Sequence, residues 1–351
     1  YYEFMLEEYQ VGSHMLFKKN PNYYDADAVT IPGIRAVIIT DDNTAYQAYQ
    51  AGEIDVMDHL PSEQIPQIVA EDPNVIVSAD TGCQFINFNV DKAPFDNVHV
   101  RKAVTYAIDR KQLVEQVLKD GSVPASGFIA PTCQTTDGGS FRTMEDDGYP
   151  AEEYGINPRQ ANVEEAQAEL AEAGYPNGEG FPEVELTYAN NDKNKKTCEA
   201  IQQMLEENLG ITVTLRAEES SVFTSTKNNG DYQMATGGWT NSPYDASGLI
   251  KLFCSQNGNN TPQWRWQEYV GAPHDTTLNP GNKAFDDAFN KAMASQGAER
   301  DAAWREAEEA LMADMPVAPL YYPSFTALVN QDQVEDVELT ASNSFMFKEA
   351  V

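Results

Sequence analysis

Val184-Glu185-Leu186-Thr187-Tyr188, then Lys193 to Leu209, then Ile211-Thr212-Val213-Thr214-Leu215 is the stretch whose reading decides the fold class. In the first piece apolar and polar residues alternate, the period-2 pattern of a half-buried strand. Between 193 and 209, Ile201, Met204, Leu205 and Leu209 fall on one side of a 3.6-residue period, so this segment reads as an amphipathic helix. Gly210 ends it, because glycine takes the left-handed closing conformation without a Cβ penalty. The β-branched run that follows reads as a returning strand. A strand, crossover helix and strand of this length predict parallel pairing through a right-handed connection, and hence an α/β protein.

On the C-terminal side, Phe285 to Met293 and Ala302 to Met312 read as two more helices, and Leu320-Tyr321-Tyr322 and Thr326 to Val329 as strands. On the N-terminal side, Ala161 to Ala173 is an amphipathic helix ended by Gly174. Residues 97–119 carry the strongest helical signal, with Val100, Val104, Ala107, Ile108, Leu113, Val114 and Val117 near helical spacing, interrupted by Asp109-Arg110-Lys111. A Gly-, Pro- and Ser-rich loop from Gly121 to about Pro158 is long enough that it should cover something. Residues 1–90 read as short strands and turns, with Met15-Leu16-Phe17, Arg35 to Ile39, Ile54 to Met57, Val75 to Val77 and Phe85 to Asn89 as strands. Thr44 to Ala51 and Ser62 to Glu71 read as helices. No internal repeat is visible.

The charge balance excludes whole classes of function. With 23 basic and 55 acidic residues the net charge is −32. Such a surface repels phosphate backbones and anionic lipid, so nucleic-acid binding is not expected. No apolar run approaches the roughly 20 residues of a membrane helix. The opening YYEFMLEEYQ is not a basic-then-apolar leader. Cys83, Cys133, Cys198 and Cys254 form no CxxC, which supports neither a zinc ribbon nor a redox pair and leaves disulfides and free thiols both open. His14, His59, His99 and His274 are scattered, with no HExxH spacing, so no metal site is expected. No GxSxG, Walker A or GxGxxG motif is present, and neither a cofactor nor a catalytic residue is assigned. These features single out no enzymatic chemistry.

One further stretch makes the reading specific. Phe88-Asn89-Val90-Asp91-Lys92-Ala93-Pro94-Phe95-Asp96-Asn97-Val98-His99-Val100-Arg101-Lys102-Ala103 is similar to the signature of the family 5 extracellular solute-binding proteins, the peptide- and dipeptide-binding type that feeds ABC importers. Ala107-Ile108-Asp109-Arg110 resembles the AIDR that follows in that family. Asn20-Pro21-Asn22-Tyr23-Tyr24, Gly52-Glu53-Ile54-Asp55-Val56, Ala166 to Tyr175 and Pro316 to Tyr322 resemble further family segments, in the same order along nearly the whole chain.

The resemblance implies a periplasmic-binding-protein-like clamp (class C, type II) of two α/β lobes with mixed sheets, here without the start of domain I and without domain II. It implies residues 1–113 as the latter part of domain I, 114–323 as domain III and 324–351 as a return to domain I. It also implies an extracytoplasmic monomer, in the periplasm or at the cell surface, lipid-anchored through a segment ahead of Tyr1. The implied partners are a small solute, most often a peptide, held in the interlobe cleft, and an ABC permease. The alternative is a binding or sensor protein of the same fold for a non-peptide solute, such as an oligosaccharide, an opine or a metal chelate.

The segment equipped for this work is Gly237-Gly238-Trp239-Thr240-Asn241-Ser242-Pro243-Tyr244-Asp245. In the family a glycine-tryptophan pair here lies at the cleft. Peptide binders commonly place an aspartate three residues after the tryptophan, where it pairs with the peptide's α-ammonium. Here that position is Ser242, and Asp245 comes three residues later, so the device is either absent or displaced. Trp239 is read as a wall of the site, with Gly238, Thr240, Asn241, Ser242, Tyr244 and Asp245 as lining. Asn89 either offers its amide to the ligand or bonds its own backbone in a turn. Trp264 and Trp266 flank Arg265 and would share one face of a strand, as a sugar-stacking pair or as an aromatic edge over the core. Tyr321 and Tyr322 read as packing where the chain recrosses between lobes.

Overall fold

The computed structural model describes residues 2–58, 60–61, 63–240, 245–268, 278–339 and 344–351. In chain order the first elements are β1 (Phe4–Gln10), β2 (His14–Lys19), β3 (Gly33–Val37), α1 (Asp42–Gln50), β4 (Val56–Met57), α2 (Ile65–Glu71) and β5 (Val75–Ala79). Then come β6 (Gly82–Phe88), α3 (Val98–Tyr106), α4 (Arg110–Gln112), β7 (Val123–Pro124), α5 (Val163–Glu172), β8 (Val184–Ala189), α6 (Asp192–Leu209), β9 (Val213–Glu218), α7 (Ser220–Asn229) and β10 (Met234–Thr240). The chain finishes with α8 (Ser247–Ile250), α9 (Gly281–Ala294), α10 (Gly297–Asp314), β11 (Val317–Tyr322), β12 (Ser324–Val329), β13 (Glu338–Leu339) and β14 (Phe345–Met346).

Two compact units result: Tyr1–Ser78 with Ser324–Val351, and Ala79–Pro323. In the second unit β6 is hydrogen-bonded to β10 and β11, and Val100, Ala103 and Val104 of α3 are buried in the same core as Leu186 and Leu320.

In the first unit, β1, β2 and β3 form an antiparallel sheet, and β4, β12 and β5 form another. Its core is small: Tyr49, Met57, Leu60, Ile65, Ile68 and Leu328. The Asp41 carboxylate caps α1 by accepting from the Thr44 amide at 2.8 Å, satisfying a donor that has no partner inside the helix.

The second unit is built on a six-stranded mixed sheet in the order β7-β11-β6-β10-β8-β9. The strand–helix–strand unit stands as the sequence predicts. β8 and β9 are parallel in register from Val184↔Val213 to Ala189↔Glu218, and α6 buries Cys198, Ile201, Met204, Leu205 and Leu209. Asn191 caps its start, and Gly210 closes it at φ +67°. The helix expected over 97–119 is instead broken. α3 stops at Tyr106, and Asp109 starts a new turn by accepting from the Gln112 amide at 2.8 Å. The chain continues from α4 as a wide π turn over Leu113–Leu118. Arg110, buried at the break, donates to the Pro319, Ile108 and Thr105 carbonyls and so ties the break to β11.

The long loop after Gly121 does cover something. Its Phe128 and Ile129 amides donate to Glu308 on α10 at 2.7 and 2.8 Å, and its Phe128 ring sits edge-on to Phe85 and Phe253.

Candidate functional site

β10 is the strand that carries the glycine-tryptophan pair. It runs antiparallel to β6 with Gly237↔Phe85, Gly238↔Gln84, Trp239↔Cys83 and Thr240↔Gly82. Two glycines in a central strand need a reason, and close approach supplies it. A Cβ on Gly237 would sit 2.5 Å from both the Phe85 ring and the Asn87 amide nitrogen, and one on Gly82 would sit 2.7 Å from the Trp239 carbonyl. Glycine lets the two backbones and the Phe85 ring occupy the same space.

Alternation along the ladder sorts the side chains. Trp239 shares a face with Cys83, Phe85 and Ala235, all buried, and it packs half-buried against the main core. Gly238 and Thr240, both exposed, share the opposite face with half-buried Gln84. Tyr321 of β11 stands opposite Gln84 across the next ladder. The Lys193 ammonium lies 5.6 Å from the centre of the Tyr321 ring and pairs with Asp120 at 2.7 Å.

Among the described residues the other edge of β10 is open past Ala235. β8 pairs with it only at Met234 and Ala235. Over Thr236–Thr240 the described residues supply strand partners from β6 alone. Backbone donors and acceptors there face away from the sheet, as on an edge strand.

Asp80 lies just ahead of β6 at this same end. The Thr240 hydroxyl donates to its Oδ2 at 3.1 Å. Its Oδ1 is buried and has no hydrogen-bond partner among the described residues. Burial pushes the carboxyl above its ordinary value, against the lowering effect of the Thr240 hydroxyl and the Thr81 amide. Its backbone is held on both sides: the amide donates to the Pro323 carbonyl at 3.0 Å, and its carbonyl accepts the Thr132 hydroxyl at 3.0 Å.

The residues expected to form the site divide into groups. Gly238, Trp239 and Thr240 lie together at the end of β10. Asn241, Ser242 and Tyr244 fall outside the described residues. Asp245 has its own partners: it pairs with Arg300 at 2.7 Å and accepts from the Ser247 amide, ahead of α8, at 2.8 Å. Burial works to raise its carboxyl, but Arg300 and Ser247 together hold it below its ordinary value. Asp245 is thus engaged by Arg300 and Ser247.

Asn89 is wholly buried; its amide donates to the Gly230 and Tyr232 carbonyls at 2.8 and 3.1 Å, and its oxygen accepts from the Asp91 amide. These are the backbone bonds that the second of its two sequence readings describes. The Trp264–Trp266 pair does not form a platform. Trp264 is buried and donates to Asp314, while Trp266 donates to Asp286 and has Lys283 over its ring at 5.3 Å.

Asp80 and Gln84 escaped the sequence reading. Gln84 could have been found from the strand alternation once Gly238 was placed opposite it. For Asp80 no local signal exists, since its partner is 160 positions away. Among the described residues no cluster of three or more His, Cys, Asp or Glu has metal-binding geometry, and no helix is long and apolar enough to cross a membrane.

A mixed α/β unit with an aromatic wall and an open strand edge describes a binding domain, and comparison gives its family. Residues 3–261 match the model of the bacterial extracellular solute-binding proteins, family 5 Middle, and the chain belongs to that family. The oligopeptide-binding protein OppA of Bacillus subtilis (strain 168) is 27% identical over 355 residues, covering 99% of this chain and 60% of its own length. The dipeptide-binding protein DppE of the same organism is 28% identical over 330 residues, covering 93% of this chain and 56% of its own. The crystal structure of the periplasmic oligopeptide-binding protein OppAIV of Borrelia burgdorferi superposes with a TM-score of 0.76 at 26% identity, over 99% of this chain and 64% of that one. The chain therefore spans roughly three-fifths of the length of these relatives, and they are named as binding proteins, not as enzymes.

Proposed function

We propose that the protein captures peptides outside the cytoplasmic membrane and delivers them to an ABC permease, with β10 of the larger unit as its docking strand. The observation that carries this reading is the open edge of Thr236–Thr240 beside the half-buried Trp239. An extended peptide adds to such an edge through its own backbone, and main-chain hydrogen bonds then give affinity without dictating side chains. Each bond contributes about 0.5–1.5 kcal/mol net. At Gly238 the Gln84 side chain fills the space a Cβ would take, which sets a polar amide beside the strand. Trp239 supplies apolar area to one peptide side chain.

Peptide capture is the activity named for the two curated relatives, and delivery to an ABC transporter is named for the Borrelia protein. A lipid anchor would keep the protein near its permease. An oligosaccharide ligand is less favoured, because Trp264 and Trp266 are spent on packing and on carboxylates. The test is native mass spectrometry of the full-length natural protein as purified. A ladder of adducts at peptide masses supports the reading. A single non-peptide adduct sinks it.

A further inference from the structure

Gln84 stands on β6 opposite Gly238 and is half-buried, and its carboxamide makes no hydrogen bond among the described residues. The glycine sets where that carboxamide lies. A Cβ on Gly238 would sit 2.3 Å from Gln84 Oε1 and 2.5 Å from its Nε2, so the amide lies across the Gly238 backbone in the place of a side chain. Gly238 is exposed and is not among the glycines with positive φ. Its backbone conformation therefore does not ask for glycine; the room taken by Gln84 does. An amide partly withdrawn from water and left unbonded is held at a cost, which a ligand that bonds it removes.

Addition of a strand to the open edge of β10 fixes what meets this amide. Directly opposed residues of a strand pair place their Cβ atoms about 4.5–5.5 Å apart on one face. A ligand residue paired with Gly238 thus points its side chain at the position that Gln84 fills. The next ligand residue, paired with Trp239, points at the indole on the other face. The charged groups beside Tyr321, across the following ladder from Gln84, are Lys193 and Asp120, which pair with each other. Gln84 brings a free donor and a free acceptor to the strand, and no charge.

We propose that Gln84 sets specificity: it selects an uncharged polar side chain, an amide or a hydroxyl, at the ligand residue paired with Gly238. This rests on the peptide reading above and deepens it, since the favoured solute is a peptide with such a residue next to an apolar one held at Trp239. A carboxamide donates and accepts at once and matches either group. A charged side chain would give up water there without a counter-charge, and an apolar one would leave the amide unbonded.

The test uses the full-length natural protein and an equimolar library of tri- to pentapeptides built from Leu, Gln, Ser, Lys and Glu. Retained peptides are sequenced by mass spectrometry after gel filtration. The wild type should retain peptides with Gln or Ser beside Leu about tenfold over those with Leu, Lys or Glu in that place, the factor expected of one or two net hydrogen bonds. Gln84→Ala should erase the preference. Gly238→Ala should erase it too, because the added Cβ meets the flexible end of Gln84 and pushes it aside. In the Gln84→Ala background, Gly238→Ala should change the ratio no further.

Equal retention of all five residues beside Leu by the wild type overturns the selection by Gln84 and leaves peptide capture standing. A preference that survives both Gln84→Ala and Gly238→Ala overturns it as well. Retention of no peptide sinks the peptide reading and this inference together. The readout is a ratio within one library, which a general loss of affinity leaves unmoved, and the wild-type arm needs no variant to fold.

Discussion

Arg142 and Glu308 form an ion pair in the interior of the larger unit, with neither side chain more than 1% exposed. The pair is closed off by further bonds: Glu308 accepts from the Phe128 and Ile129 amides and from the Tyr154 hydroxyl, and Arg142 donates to the Ile129 carbonyl and to Glu153. Two residues 166 positions apart thereby hold the long loop on α10.

Breaking this pair from one side should be expensive. Glu308→Ala strands a buried guanidinium and two loop amides, and should cost about 3–5 kcal/mol in urea unfolding. Glu308→Gln, which can still accept those amides, should cost less. A loss below about 1 kcal/mol for the alanine variant would mean that the loop is held by its apolar contacts alone.

The Asp245 carboxylate should make stability depend on acid. Its folded value is depressed, so its contribution is present above the ordinary value of 3.8 and is lost as pH falls through the lower folded value. Asp245→Asn should therefore lower the melting temperature at neutral pH, by the up to ~1 kcal/mol typical of a partly exposed ion pair. The gap between variant and wild type should close in strong acid. A gap that persists there would rule out the ion pair as its source.

Trp239→Ala should weaken peptide binding about 10–100-fold, the loss of some 1.4–3 kcal/mol of aromatic contact. Titration calorimetry measures it directly. Because Trp239 is only partly packed into the core, the variant should remain folded by circular dichroism. Unchanged affinity would move the docking strand elsewhere.

Gly82→Ala tests the close approach at the end of the ladder. The added Cβ would meet the Trp239 carbonyl at 2.7 Å, and the strands must part to admit it. Overpacking of that kind costs about 1–3 kcal/mol. Hydrogen exchange should show faster opening of amides in Gly238–Thr240 than in Met234 and Ala235, which β8 also holds. Uniform protection along β10 would count against the tight-approach argument.

The parts of the fold legible in the sequence were those with a period. β8, α6 and β9 could be read from alternation, one apolar helix face and Gly210, because local pattern and tertiary packing agree there. The break between α3 and α4 was not legible as a break. Apolar spacing continues through it, and only the capping geometry of Asp109 shows that the polar interruption restarts the helix. β10 was harder still, since Gly237 and Gly238 carry no strand propensity and are extended only because β6 pairs with them. Asn89 and Asp245 looked available because sequence shows a polar side chain but not the distant carbonyls or the Arg300 that occupy it. Asp80 went unremarked for the opposite reason: what marks it is a missing partner.

The place of β6 in the sheet also sets an order of events during synthesis. Its neighbours are β10 on one side and β11 on the other, with Met234 opposite Phe88 and Val317 opposite Asn87. A ribosome making 5–20 residues per second delivers β10 about 150 residues after β6, and β11 about 230 residues after it, on the order of ten to fifty seconds later. Until β10 arrives Phe85, Ile86 and Phe88 form a sticky apolar strand with both edges bare, and until β11 arrives one edge stays so. The strand at the centre of the finished sheet is thus made long before either neighbour, and a nascent chain halted before Val317 still leaves one of its edges uncovered.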